Sequence, residues 1–285
     1  MKALAQKALV DLRGRAVRTG RVPRRAGRHY FIESEGLHSR IHLQNFYSTF
    51  WPGVDAAATA HIEVFAASGD LLGRIDQPLP RFGSLFLELR DLLGRIGAQA
   101  GEGSVQIDLE PPEEVRAQLR DLPNATEVEL GSPFWMAYYD AHENYMYVHA
   151  IEKSAWPLYG APKTVAWTIR RGRGVGGKFR SWRLIDLEGL TEVQIVMLNH
   201  GPDEGTAKLG VYSGDDSITL FETERAFGPR QLHRVRIPAE EIRAWSLRHP
   251  ELEHIRLGAE PLLTANGKPY VLLRHGDGPL SLHHA

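Results

Sequence analysis

The sequence predicts an all-β protein built from two tandem sandwiches, and three observations carry that prediction. Short runs with period-two alternation of apolar and polar residues recur about every 8–12 residues. Glycine- and aspartate-rich turns separate them, as at Ser68-Gly69-Asp70, Gly214-Asp215-Asp216 and Gly276-Asp277-Gly278. Six segments of the first half also reappear in the same order in the second half.

The repeat starts with IHLQNF (41–46) against IVMLNH (195–200), each ending its apolar run at an asparagine, Asn45 or Asn199. ATAHIEVF (58–65) then matches GTAKLGVY (205–212), and Phe82-Gly83 is matched with Phe227-Gly228. Next come LFLELRDLL (85–93) with HRVRIPAEEI (233–242), and IDLEPP (107–112) with RLGAEP (256–261). SPFWMAYY…YVHA (132–150) closes the series against KPYVLLRH…SLHHA (268–285). Within 59–65 the alternation puts Thr59, His61, Glu63 and Phe65 on one face and Ala60, Ile62 and Val64 on the other. About seven strands per copy resembles immunoglobulin-like and fibronectin-III-like sandwiches, a likeness of architecture that implies no activity. The expected organisation is a basic arm (1–28), a first repeat (29–153), a linker (154–177) and a second repeat (178–285). Two short helices interrupt the strands, at 111–122 and 238–247, each opening with proline and acidic residues. They fall at non-equivalent places and read as insertions.

Composition narrows the function classes. The 285 residues contain no cysteine, which excludes a disulfide framework, a thiolate zinc site, an iron–sulfur cluster and a cysteine nucleophile. No apolar run approaches the ~18–20 residues of a membrane-spanning helix. The start of the chain lacks the apolar core of a signal peptide, so the expectation is a cytoplasmic or peripheral membrane protein.

The formal net charge of -1 conceals an asymmetry. Residues 1–28 hold nine of the 34 Lys and Arg, among them Arg13, Arg15, Arg18, Arg21, Arg24, Arg25 and Arg28, against the single acid Asp11. Ala5, Ala8, Leu9, Leu12 and Ala16 share one helical sector of this arm. A basic segment with a narrow apolar stripe suits a membrane surface or a protein partner. It lacks the interleaved aromatics of a single-strand nucleic-acid binder.

The linker holds Gly172-Arg173-Gly174-Val175-Gly176-Gly177, which satisfies G-x-G-x-x-G in form. The following FRSWRLIDL alternates as a strand, and Phe179 stands where a P-loop needs Ser or Thr. No nucleotide or other cofactor is therefore expected. Trp156, Pro157, Tyr159, Pro162 and Trp167 suit a linker that packs on a domain.

The richest chemistry lies at 138–149. Asp140, His142 and Glu143 form a hairpin tip and are the candidates for acid–base work, although no metal-ligand spacing surrounds them. Trp135 and Tyr139 share one face of the incoming strand, and Tyr145, Tyr147 and His149 one face of the outgoing strand. If those faces coincide and meet solvent, they form an aromatic platform for a sugar or a protein. The Val148-His149 position recurs as His283-His284, and His29, His38 and His42 cluster near the first strand. The first expectation is a non-catalytic binding or assembly protein tethered through the arm. An enzyme or accessory subunit acting on a glycan at the inter-domain groove, and a carbohydrate-binding module, are the alternatives.

Overall fold

The computed structural model describes residues 26–54, 57–121, 134–149, 179–181, 183–199, 204–260 and 269–284, together with Leu12. The arm residues Arg13, Arg15, Arg18, Arg21, Arg24 and Arg25, and the linker with its glycines and aromatics, lie outside the described residues.

The chain is an all-β sandwich fold of four antiparallel sheets with few short helices. The amino-terminal strands are β1 (Gly27–Ile32), β2 (Leu37–Gln44), β3 (Ala58–Ala66), β4 (Leu71–Leu79), β5 (Ser84–Glu88), β6 (Glu102–Glu110), β7 (Phe134–Asp140) and β8 (Tyr145–His149). Their sheets run β1-β6-β3-β4 and β5-β2-β7-β8. The carboxy-terminal strands are β9 (Phe179–Arg180), β10 (Ile185–Asp186), β11 (Leu190–Leu198), β12 (Gly205–Ser213), β13 (Thr219–Phe227), β14 (Leu232–Ile237), β15 (His254–Glu260), β16 (Tyr270–His275) and β17 (Ser281–His284). Their sheets run β10-β15-β12-β13, with β9 also on β15, and β14-β11-β16-β17. Adding nine to each amino-terminal strand number reproduces the carboxy-terminal order.

This order differs from immunoglobulin connectivity, in which strands one and two pair within one sheet. Here β1 and β2 belong to opposite sheets. The turn between them is held by Ser39, whose hydroxyl accepts from the Ile32 N–H and donates to its carbonyl, both at 2.8 Å. Period-two alternation predicts a sandwich but carries no information on strand order, which depends on pairings distant in sequence.

Among the described residues, four short helices join the strands: α1 (Phe46–Phe50), α2 (Leu89–Arg95), α3 (Glu113–Asp121) and α4 (Ala239–Arg248). Both helices expected from the sequence form. However, α4 is no insertion peculiar to its half, because α2 follows β5 as α4 follows β14. Leu89, Leu92 and Leu93 of α2 are buried, a helical spacing hidden within an apparent strand segment. No helix among the described residues is long and apolar enough to cross a membrane.

The equivalence is visible in single bonds. The Asn45 N–H donates to the Gly83 carbonyl (2.9 Å), and its side-chain amide donates to Pro80 O (3.1 Å). Asn199 repeats this with Gln231 O (2.9 Å) and Gly228 O (3.0 Å). The true counterpart of Phe82-Gly83 is therefore Arg230-Gln231, three residues beyond the expected Phe227-Gly228. Phe82 (φ 53°) and Arg230 (φ 64°) share the same left-handed backbone in that turn.

The apolar interior follows the alternation. Ala60, Ile62 and Val64 of β3 face Ile41, Leu43, Phe134 and Met136 of the other amino-terminal sheet in one core. That core also takes in Val196, Leu198, Tyr270, Leu272, Leu280 and Leu282, so the carboxy-terminal sheets pack directly on the amino-terminal ones. A second core around Val193, Ile195, Met197 and Trp245 lies between the carboxy-terminal sheets.

At the junction Tyr270 OH lies 3.0 Å from His29 Nδ1 and accepts from the Tyr30 N–H at 3.4 Å, along the sheet edge of β1, which is buried there. Glu35 accepts from Gln194 (2.9 Å) and pairs with Arg234 (3.1 Å). Arg28, counted with the basic arm in the sequence, instead belongs to β1 and is fully buried. Its guanidinium donates to Ser104 Oγ and Arg230 O and lies 5.0 Å from the Phe65 ring centre. Burial, and next the Arg230 charge, hold it well below the ordinary arginine range. The arm's charge therefore includes one arginine that serves packing.

Candidate functional site

Pairing β2 between β5 and β7, with β8 beyond, sets the register of the site. His42 stands opposite Phe86 on one side and Trp135 on the other, and Trp135 stands opposite His149. One residue pair along, Arg40 stands between Glu88 and Ala137, and Ala137 faces Tyr147. In the third row His38, Tyr139 and Tyr145 are neighbours. Because side chains alternate, all these positions share the face turned away from the core. The two aromatic strand faces expected from the sequence thus coincide, bringing Trp135, Tyr139, Tyr145, Tyr147 and the backbone position of His149 together.

The face is open at its centre. Phe86, Trp135 and Tyr147 are 65%, 56% and 55% exposed. His42 lies among them, its ring edge-on to Phe86 at 4.4 Å and to Tyr147 at 5.4 Å. Burial, and next the Arg40 charge, lower its pKa and favour the uncharged imidazole. Tyr147 reaches toward His42 because its cross-strand neighbour is the small Ala137. Tyr145 continues the aromatic surface, stacked 6.0 Å from Tyr147 and 5.2 Å from Tyr139.

The polar groups on this face are paired with one another. Arg40 Nε meets Glu88 at 2.5 Å, and its Nη1 donates to Tyr145 OH at 2.9 Å. Its guanidinium lies 5.0 Å from the Tyr139 ring centre. Tyr139 OH donates to the other Glu88 oxygen at 2.6 Å. Burial and this bond to a carboxylate push the Tyr139 phenol up to about 12. Burial alone would lower Arg40, but the Glu88 bond and charge outweigh it and raise its pKa. At the far corner His38 pairs with Glu33 at 3.0 Å. The arrangement is a plate of exposed rings beside a row of internally paired polar groups.

The acid–base candidates behave differently. Asp140 spends its carboxylate on the hairpin turn, accepting from the His142 and Asn144 N–H groups (2.8 and 3.0 Å) and the Asn144 amide (2.8 Å). The Asn144 amide, first of these donors, lowers its pKa. His142 and Glu143 are exposed at the tip, with Glu143 at φ 58°. The three do not share the aromatic face. Sequence reasoning placed His42 only in a histidine cluster and did not single out Phe86, Arg40 or Glu88. The alternation of His38, Arg40, His42 and Gln44 through LHSRIHLQ was the signal that these four share one face.

The equivalent face of the carboxy-terminal sheets has another fate. Trp135 corresponds to Tyr270, His42 to Val196, Phe86 to Arg234 and Tyr147 to Leu282, since each set has the same pairings around β2 or β11. In the carboxy-terminal pair this face is covered by the amino-terminal sheets. Only its amino-terminal counterpart meets solvent.

No family model matches the chain, and no curated protein matches it. Among solved structures it is similar to a β-glucuronidase of glycoside hydrolase family 2 (10% identity, TM-score 0.20), covering 92% of this chain and 24% of that one. It is also similar to the N-terminal CBM22-1-CBM22-2 tandem domain of Paenibacillus barcinonensis Xyn10C (12% identity, TM-score 0.18), covering 89% and 80% respectively. A third is a putative β-galactosidase from Bacteroides fragilis (12% identity, TM-score 0.18), covering 91% and 32%. The chain thus spans about a quarter to a third of the two hydrolases. Likeness at this level says nothing about activity.

Proposed function

We propose that the chain is a non-catalytic carbohydrate-binding protein whose ligand lies on the β5-β2-β7-β8 face. One observation carries this reading: Trp135, Tyr147 and Phe86 are each more than half exposed on one sheet face, around His42. Large exposed aromatics grouped on a rigid element are costly to leave wet and mark a binding surface. The C–H faces of a sugar ring stack on such rings, burying apolar area with little loss of side-chain freedom because the strands already hold the rings. The Glu88 carboxylate is charge-matched by Arg40 and bonded by Tyr139, and that of Asp140 is held by its turn, so neither serves as a catalytic acid or base in this reading.

The test is affinity electrophoresis through native gels containing a panel of soluble polysaccharides. Retarded migration in at least one gel, lost in Trp135→Ala and Tyr147→Ala, is the expected result. Unretarded migration in every gel, or retardation unaffected by both substitutions, overturns the proposal.

A second reading, docking of another protein on this face, is supported by the carboxy-terminal counterpart, which packs against protein through Tyr270, Val196 and Leu282. Its composition differs, however. The buried counterpart is largely aliphatic, whereas the open face carries aromatic rings and an internally paired polar row.

A further inference from the structure

We infer that the ligand is an uncharged, β-linked glycan with equatorial substituents, lying across the strands along the Phe86–His42–Trp135 row with its hydroxyl edge on the Glu88–Arg40 row. This rests on the carbohydrate-binding reading and names its ligand class.

Direction comes from the register. Phe86 and Trp135 flank β2, one strand away on each side. Neighbouring strands are ~4.8 Å apart, so the backbones that carry the two rings are about 10 Å from one another across the sheet. That separation suits alternate units of an extended β-linked pyranose chain, whose successive rings turn over and present C–H faces to both sides. A chain joined by α-linkages coils away from a flat plate and reaches one ring at a time.

Stereochemistry comes from the flatness of the face. An equatorially substituted pyranose directs its hydroxyls outward in the ring plane and only C–H bonds toward the aromatic surface. An axial hydroxyl would point into Trp135 or Phe86, lose its water and find no partner in the ring beneath. The in-plane hydroxyls need polar groups beside the rings, and the next row supplies Arg40 and Glu88, parallel to the first and one pair along the strands.

Charge selects against ionic glycans. Arg40 is matched by Glu88 and His38 by Glu33, and His42 sits among the rings of Phe86 and Tyr147 with burial favouring its uncharged form. A carboxylated or sulfated chain lying along the ring row would give up its hydration beside an Arg40 charge already matched by Glu88. Arg90, whose charge reaches Tyr139 and Glu33, stands off that row. A cationic chain would likewise meet carboxylates already spent.

The test is calorimetric titration of the full chain with cello-oligosaccharides of increasing length, a malto-oligosaccharide, a β-linked manno-oligosaccharide with its axial hydroxyl, and an oligogalacturonate. Affinity should rise with cello-oligosaccharide length until both rings are spanned and then level off. The malto-, manno- and galacturonate ligands should bind at least about tenfold more weakly, equal to ~1.4 kcal/mol each. Phe86→Ala and Trp135→Ala, both at exposed positions, should each lower the affinity for the long cello-oligosaccharide about tenfold and remove the length dependence. Equal or tighter binding of the galacturonate or malto-oligosaccharide, lost in Trp135→Ala, would overturn this ligand class while keeping a carbohydrate face. Binding of none of these ligands overturns both.

Discussion

Trp135 and Tyr270 occupy the same position in two sheets of identical strand order, yet Trp135 is 56% exposed and Tyr270 2%. Each stands opposite the corresponding residue of the central strand, His42 or Val196. The difference lies in what covers them. Tyr270 is pressed against β1, bonded to His29 and the Tyr30 N–H, while Trp135 faces outward.

A first prediction separates these two roles. Tyr270→Ala removes a buried ring and its contact with His29 Nδ1 at the junction, so it should destabilise the fold by about 3–5 kcal/mol. Trp135→Ala should cost less than ~1 kcal/mol, as expected of an exposed position. Urea denaturation followed by circular dichroism measures both, and equal losses would contradict the assignment of faces.

The junction also depends on a close backbone approach. Gly69 has φ 88°, and a Cβ there would sit 2.6 Å from Pro229 O. The neighbouring Leu232 N–H donates to Ala67 O at 2.9 Å, tying the same turn to the carboxy-terminal sheets. Gly69→Ala combines a left-handed backbone penalty with that clash and should lower stability by about 2 kcal/mol or more. Gly36→Ala also has a positive φ but meets open space, so it should show the backbone cost alone. A matched loss in the two variants, read from denaturation midpoints, would argue against the close approach.

A third prediction concerns pH. His61 on β3 is held between Asp76 (2.7 Å) and Glu110 (2.9 Å), with Arg116 on the far side of Glu110 and Asp108 opposite on β6. Burial alone would lower its pKa, but the two carboxylates outweigh it and raise it above 6.5. A raised folded value means the imidazolium stabilises the fold fully below pH 6.5. That contribution disappears as pH rises through the elevated folded value. His61→Gln should therefore reduce stability at pH 5.5 more than at pH 9, by melting temperature measured across that range. A pH-independent loss would show that the ion pairs contribute nothing.

The polar row can be tested at Tyr139. Its phenol is pushed up to about 12 by burial and by the bond to Glu88. Glu88→Gln removes the negative charge and should return that phenol toward 10, visible as an extra tyrosine ionising earlier in an ultraviolet alkaline titration. The same substitution leaves Arg40 without its carboxylate and should loosen its contact with Tyr145. An unchanged titration would place the cause in burial alone.

Much of this architecture was legible in the residues themselves. Alternation in 59–65 and 134–140 set which side chains share a face, since a strand reverses direction at every residue. The turns at Gly69, Asp215 and Gly276, and the helices beginning at Glu113 and Ala239, followed from local chemistry. The helix at Leu89–Arg95 was missed because three leucines spaced for one helical face sit directly after a strand with the same composition. Phe82 was paired with Phe227 rather than Arg230 because residue type was matched, whereas the turn conserves a backbone conformation.

What the sequence by itself determined is the set of faces: Trp135 with Tyr139, Tyr145 with Tyr147, His38 with Arg40 and His42. Local covalent geometry suffices for that. Which strands lie side by side, and which of two equivalent faces meets water, was decided by tertiary structure alone. Pairing His42 with Phe86 and Trp135 joins residues 44 and 93 positions apart, and covering Tyr270 requires β1 from more than two hundred residues away. Burial is a property of the assembled surfaces, so the same fold position became a structural anchor at Tyr270 and an open ring at Trp135.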